Sequence, residues 1–165
     1  IITSPLTRTM QTTAAITAYL DNPTVYVWGD LMERNTHPDF PGLSLEECKA
    51  IYENVAPLFD GSIGKPLGTE SERQLFMRGQ RIIDYLERNF PQNSEFLIVS
   101  HGTFNRYIFN SALNLPCETL FFFGQTNTSV SLFSTRESDG TPKRRLHYLN
   151  DLSHLYRTEL QKDRI

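Results

Sequence analysis

Ile1-Ile2-Thr3-Ser4-Pro5-Leu6-Thr7-Arg8-Thr9 is the stretch on which the fold turns. Two isoleucines and a threonine read as the end of a buried strand. Ser4 is a good N-cap and Pro5 suits the first helical position, so the pattern predicts a helix from here to about Leu20. Met10, Ala14, Ile16 and Leu20 fall on its inward side, and Asp21-Asn22-Pro23 ends it. A strand feeding directly into a helix sets unpaired backbone N–H groups, which favour anions, at the rim of a sheet. Arg8 in the first turn adds a planar fork of donors that matches phosphate geometry. On this segment alone the plainer reading, a capped helix with a surface arginine, stays open.

Outward from it, Thr24 to Trp28 (TVYVW) is a short strand, followed by a long loop from Gly29 to Leu43 that holds Pro38, Pro41 and Gly42. Long structured loops often carry function. Ser44-Leu45-Glu46-Glu47 is a capping box that starts a helix toward Val55, and residues 57–68, rich in Gly and Pro, form a second loop. Thr69-Glu70-Ser71-Glu72 is a second capping box. Leu75, Met77, Ile82, Ile83 and Leu86 then support an amphipathic helix ending near Phe90. Glu95 to Ser100 (EFLIVS) is a buried strand, and His101-Gly102 turns the chain into a helix through about Leu113. Thr128 to Ser134 alternates as a strand, turns at Ser138-Asp139-Gly140-Thr141-Pro142, and pairs back through Arg144 to Leu149. The tail from Ser153 to Ile165 is a short helix or frayed. Strands alternating with helices predict an α/β fold, a mostly parallel sheet with helices on both faces. Ligands of such sheets sit beyond the carboxyl ends of the strands.

Composition narrows the function. A chain of 165 residues suits one domain with a real core, and a net charge of -3 argues against a broad nucleic-acid footprint. No stretch approaches the roughly 18 apolar residues of a membrane span. The first residues do not have the basic start and apolar run of a signal peptide. Cys48 and Cys117 are far apart and read as packing residues, which favours a cytoplasmic setting. No metal-ligand spacing occurs, and no cofactor is expected.

Two further motifs carry chemistry. In Val99-Ser100-His101-Gly102, a histidine ends a buried strand and so stands at the rim of the sheet. A charged imidazole there would hold a phosphoryl oxygen, and glycine lets backbone approach a ligand. A histidine that merely caps the next helix is the alternative. Glu33, in Leu31-Met32-Glu33, stands in the loop after TVYVW. Beside a bound phosphate, like charge pushes a carboxyl toward its protonated form, which suits it to protonate a leaving alkoxide. Alone, it reads as a solvated loop charge.

In combination and in this order, SPLTRT, L-x-E and VSHG resemble the histidine phosphatase (phosphoglycerate-mutase-like) superfamily. Gln11-Thr12-Thr13-Ala14 extends the first motif and Arg106 the third. Asn127-Thr128-Ser129-Val130 and Asn150-Asp151-Leu152-Ser153-His154-Leu155 match weaker C-terminal patterns. The resemblance implies a three-layer sandwich and metal-independent phosphomonoester hydrolysis through a phosphohistidine. It implies that Arg8 holds phosphate, His101 stabilises the transferring group, Glu33 is the acid and base, and Gly102 and Thr103 offer backbone N–H groups. It implies a small phosphorylated substrate, a phosphoprotein or inorganic phosphate as partner, with no nucleic acid and no membrane, and leaves a homodimer open.

The family's R-H-G triplet, which ends its first central strand and supplies the nucleophilic histidine and a second arginine, does not occur in these residues. The chain is therefore expected to be an N-terminally incomplete single domain over residues 1–165, with a slot in its sheet, inactive by itself and catalytic in a longer protein. His147 and His154 are read as structural, and His37, which precedes a proline, as a loop residue, with a place near the pocket mouth as the alternative. Glu33 and His101 are 101 − 33 = 68 positions apart, too compact for the long insertion of the family's mutases. This favours a phosphatase over mutase-type transfer. A pseudophosphatase that binds phosphate without turnover is the reading from another class.

Overall fold

The structure is a computed structural model, and it describes residues 1–34, 42–64, 69–118 and 121–156. Four parallel strands form the main sheet in the order β3-β2-β1-β4: β1 is Ile2–Thr3, β2 Val25–Val27, β3 Val55–Pro57 and β4 Ile98–Val99. Ile2 pairs with Tyr26 on one side and with Ile98 on the other. Strand residues alternate in direction, so Val25 and Val27 face opposite to Ile2 and Trp28.

That alternation builds two cores. On one face Val25, Val27 and Val55 pack with Met10 of α1 (Thr7–Thr17) and Cys48 of α2 (Leu45–Ile51). On the other, Ile2 and Trp28 pack with Leu75, Ile82 and Ile83 of α3 (Glu72–Asn89) and with Phe104, Tyr107 and Ile108 of α4 (Gly102–Ala112). The result is the expected three-layer α/β sandwich.

Several local expectations are corrected. Helix α1 starts later than its Ser-Pro opening suggests, with Leu6 at the cap and no side-chain cap bond. Its buried stripe is Thr9, Met10, Thr13 and Thr17, while Leu20 is exposed, because threonine hydroxyls here bond to main-chain carbonyls of their own segment and so can be buried. Helix α2 has its capping box but stops at Ile51, and Val55–Pro57 pairs as a strand beside β2. Helix α3 is capped by Ser71 with Gln74, not by Thr69 with Glu72. Met77 is exposed.

Strand β4 is shorter and less buried than its EFLIVS sequence predicts, with Phe96 and Leu97 exposed. Among the described residues its outer edge has no strand partner, whereas β1 is paired on both sides without a break. The expected slot inside the sheet is thus an open β4 edge. The hairpin forms as predicted but longer, β5 (Val130–Ser138) with β6 (Thr141–Asp151), as a separate antiparallel sheet. Asp139 and Gly140, both at positive φ, make its tight turn. Among the described residues no helix is long and apolar enough to cross a membrane.

Candidate active site

Pairing of Thr3 with Val99 brings the carboxyl ends of β1 and β4 side by side. The residues that follow those ends, Ser4 and His101, therefore meet. Ser4 is fully buried, and its Oγ lies 2.9 Å from Nε2 of His101. Arg8, one turn into α1, donates from Nε to Nδ1 of His101 at 3.2 Å. A ring nitrogen that accepts from a guanidinium carries no proton, so Nδ1 is the acceptor and Nε2 holds the hydrogen shared with Ser4. Burial first, then the charges of Arg8 and Arg78, push the His101 pKa down to about 3. The imidazole is neutral in this arrangement, not the charged group that the sequence suggested. Its neutrality follows from 5% exposure and a cation on its open nitrogen.

Glu33 stands beside the same helix start. Its Oε1 accepts from the backbone N–H of Phe104 at 3.0 Å and of Arg34 at 2.9 Å, and its Oε2 from that of Thr103 at 3.4 Å. The carboxylate thus satisfies N–H groups that a helix leaves unpaired in its first turn. Thr103 spends its N–H on Glu33 rather than presenting it freely. Gly102 opens α4 with its α-carbon against Gln125: an added Cβ would stand 3.3 Å from the Gln125 Cβ and carbonyl oxygen. Ser100 Oγ donates to the Leu31 carbonyl at 2.9 Å and ties β4 to the loop that brings Glu33 in. Arg8, Glu33, His101, Gly102 and Thr103 therefore gather around one place, the start of α4 at the carboxyl end of the sheet.

Several neighbours escaped sequence reading. Ser4, a helix cap by its sequence, meets His101 instead. Arg34 donates to Tyr107 Oη at 2.9 Å and reaches Glu72 at 3.2 Å, and Tyr107 in turn donates to Glu72. Burial and that carboxylate push the Tyr107 hydroxyl up to about 12. Arg78 is buried at 2% exposure and pairs bidentately with Glu70. A signal did exist for it: Arg78 stands in the stripe of Leu75 and Ile82, where an arginine is out of place unless it has work among buried groups.

The model of the histidine phosphatase superfamily (branch 1) matches residues 1–147. The chain belongs to that superfamily. A search of curated proteins returns no match to it. In this histidine phosphatase domain Arg106 lies with its guanidinium 5.2 Å over the Phe122 ring. His147 bonds to Ser134 on the hairpin, His154 stands in the short turn at Ser153–Leu155, and His37 lies outside the described residues. Among the described residues His101 is thus the histidine that joins Arg8. Cys48 is fully buried, and burial pushes its thiol up to about 11, in keeping with a packing role. No group of His, Cys, Asp and Glu among the described residues is arranged to hold a metal ion.

Proposed function

We propose that this domain binds the phosphoryl group of a small phosphorylated metabolite or phosphoprotein between Arg8, His101 and the start of α4, and that, together with a nucleophilic histidine, it hydrolyses the ester without a metal. The observation that carries this reading is the 3.2 Å contact of Arg8 Nε with His101 Nδ1, beside a glutamate seated on the next helical turn. An incoming phosphate dianion competes for both donors: Arg8 turns its fork to the anion, and His101 Nε2–H, now shared with Ser4, is a second donor. Histidine Nδ1 then regains its own affinity for a proton, so the ring becomes cationic as the anion arrives.

Turnover follows as two displacements. A ring nitrogen of a nucleophilic histidine, which the resemblance assigns to an R-H-G segment, attacks phosphorus. The P–N bond forms, the P–O bond to the leaving group breaks, and Glu33 passes its proton to the departing oxygen. Water then attacks the phosphohistidine, Glu33 takes the proton back, and phosphate and neutral histidine are released. Fixed charges around the transferring group supply most of the rate. The 68-residue spacing of Glu33 and His101 favours water over a second alcohol as the acceptor.

The test is hydrolysis of a chromogenic phosphomonoester in metal-free buffer, with inorganic phosphate as a thermal ligand. Phosphate should raise the melting temperature of the chain, and a protein that also carries the nucleophile should turn over. Glu33→Gln in that protein should lower kcat by about 100- to 10,000-fold, the usual worth of general acid–base catalysis. Phosphate protection without any turnover would assign the domain to phosphate binding alone. Loss of both would sink the reading.

A further inference from the structure

Resting on the role given to Glu33 above, we propose that Arg78 is a positioning residue whose single guanidinium sets the Glu33 carboxylate against the first turn of α4. Glu33 is held from two directions. It follows Met32 in the loop that delivers it, and it lands on the N–H groups of Phe104 and Thr103 that receive it. Arg78 grips both sides. Its Nη1 donates to the carbonyls of Asp30 at 2.6 Å and Met32 at 2.8 Å, fixing the delivering loop. Its Cζ lies 3.6 Å from the centroid of the Phe104 ring, fixing the receiving turn. Glu70 aligns the fork by accepting from Nε at 2.9 Å and Nη2 at 2.7 Å.

A lysine cannot do this, because a point charge neither stacks on a ring nor spans two carbonyls and a carboxylate together. Nor does core filling explain it. Desolvating a charge pair is expensive, and well-packed apolar residues commonly replace such pairs at no loss of stability. What apolar residues cannot supply is the pair of donors to Asp30 and Met32.

The experiment reads the backbone amide resonances of Phe104 and Thr103 by NMR. Glu33→Gln defines where the Phe104 amide falls when its carboxylate partner is lost. The double variant Arg78→Met with Glu70→Leu removes both buried charges, so no lone carboxylate is left to unfold the chain. Arg78→Lys keeps the ion pair and serves as a second, milder variant. The Phe104 amide should move to the Glu33→Gln position in the double variant and toward it in Arg78→Lys, while amides of β5 and β6 stay in place. Because the Arg78 guanidinium also lies over the Phe104 ring, the direction of the shift decides: a Phe104 amide that stays at its wild-type position, or moves away from the Glu33→Gln position, in either folded variant overturns the proposal. Titration of wild-type chain with inorganic phosphate is scored separately: its failure would sink the functional reading and leave the amide result standing.

Discussion

At the scale of single residues, His101 carries the most unusual chemistry. The unfolded chain takes a proton on this ring below its ordinary 6.5, whereas the folded chain does so only near 3. Between those values the unfolded state binds more protons, so stability falls as the solution is acidified through that window and is fully present above it. His101→Asn should flatten the acid side of the stability curve, removing a slope of at most about 1.4 kcal/mol per pH unit. Denaturant melts at stepped pH values check this. Arg8 is exposed and spends one N–H on His101, so Arg8→Ala leaves the fold alone. It should weaken phosphate binding by roughly 10- to 100-fold, matching about 1.5–3 kcal/mol for a charged hydrogen bond. Isothermal titration with inorganic phosphate measures it.

At the scale of elements, the two helices on the Glu33 side approach so closely that one glycine decides their spacing. A Cβ on Gly79 of α3 would stand 2.7 Å from the Tyr107 carbonyl of α4. Gly79→Ala should therefore destabilise the chain by about 1–3 kcal/mol through overpacking, despite the better helix propensity of alanine. A lowered denaturant midpoint at unchanged slope is the expected result. Elements with strong local chemistry were legible in the sequence: the Ser44 capping box, the Asp139-Gly140 turn and the strand-to-helix step at His101 all stand where periodicity put them. What was hidden depends on contacts between distant segments. Val55–Pro57 becomes a strand only because β2 offers it an edge, and Glu70, read as one residue of a capping stretch, is buried as the counter-ion of Arg78. Ser4, read as a cap, is claimed by a histidine 97 positions away.

At the scale of the whole molecule, the hairpin is tied to the sandwich by polar contacts more than by shared strands. Arg144 of β6 grips Glu87 of α3 with two bonds, at 2.8 and 2.6 Å, and reaches Asn114 beyond α4 at 2.7 Å. Phe133 adds an apolar contact to the core. Glu87→Ala leaves a mostly covered guanidinium half-paired, which should cost about 1–3 kcal/mol. The loss should concentrate in the hairpin, read as faster amide exchange in β5 and β6 than in α3. The family was legible from three short motifs because they stand at strand ends that the fold brings together. The layering around them followed from the strand and helix order.

The pairing of β1 with β4 has a kinetic meaning. Ile2 meets Ile98 across 96 intervening steps of chain, and the Arg8–His101 contact exists only after that closure. Closing so long a loop is entropically slow, and parallel pairing cannot be seeded by a tight turn. Helices α3 and α4 lie close in sequence and can associate first, but neither holds Arg8 or Ser4. While those helices associate, Arg8 therefore cannot yet meet His101; the contact has to wait for two segments 96 positions apart to pair.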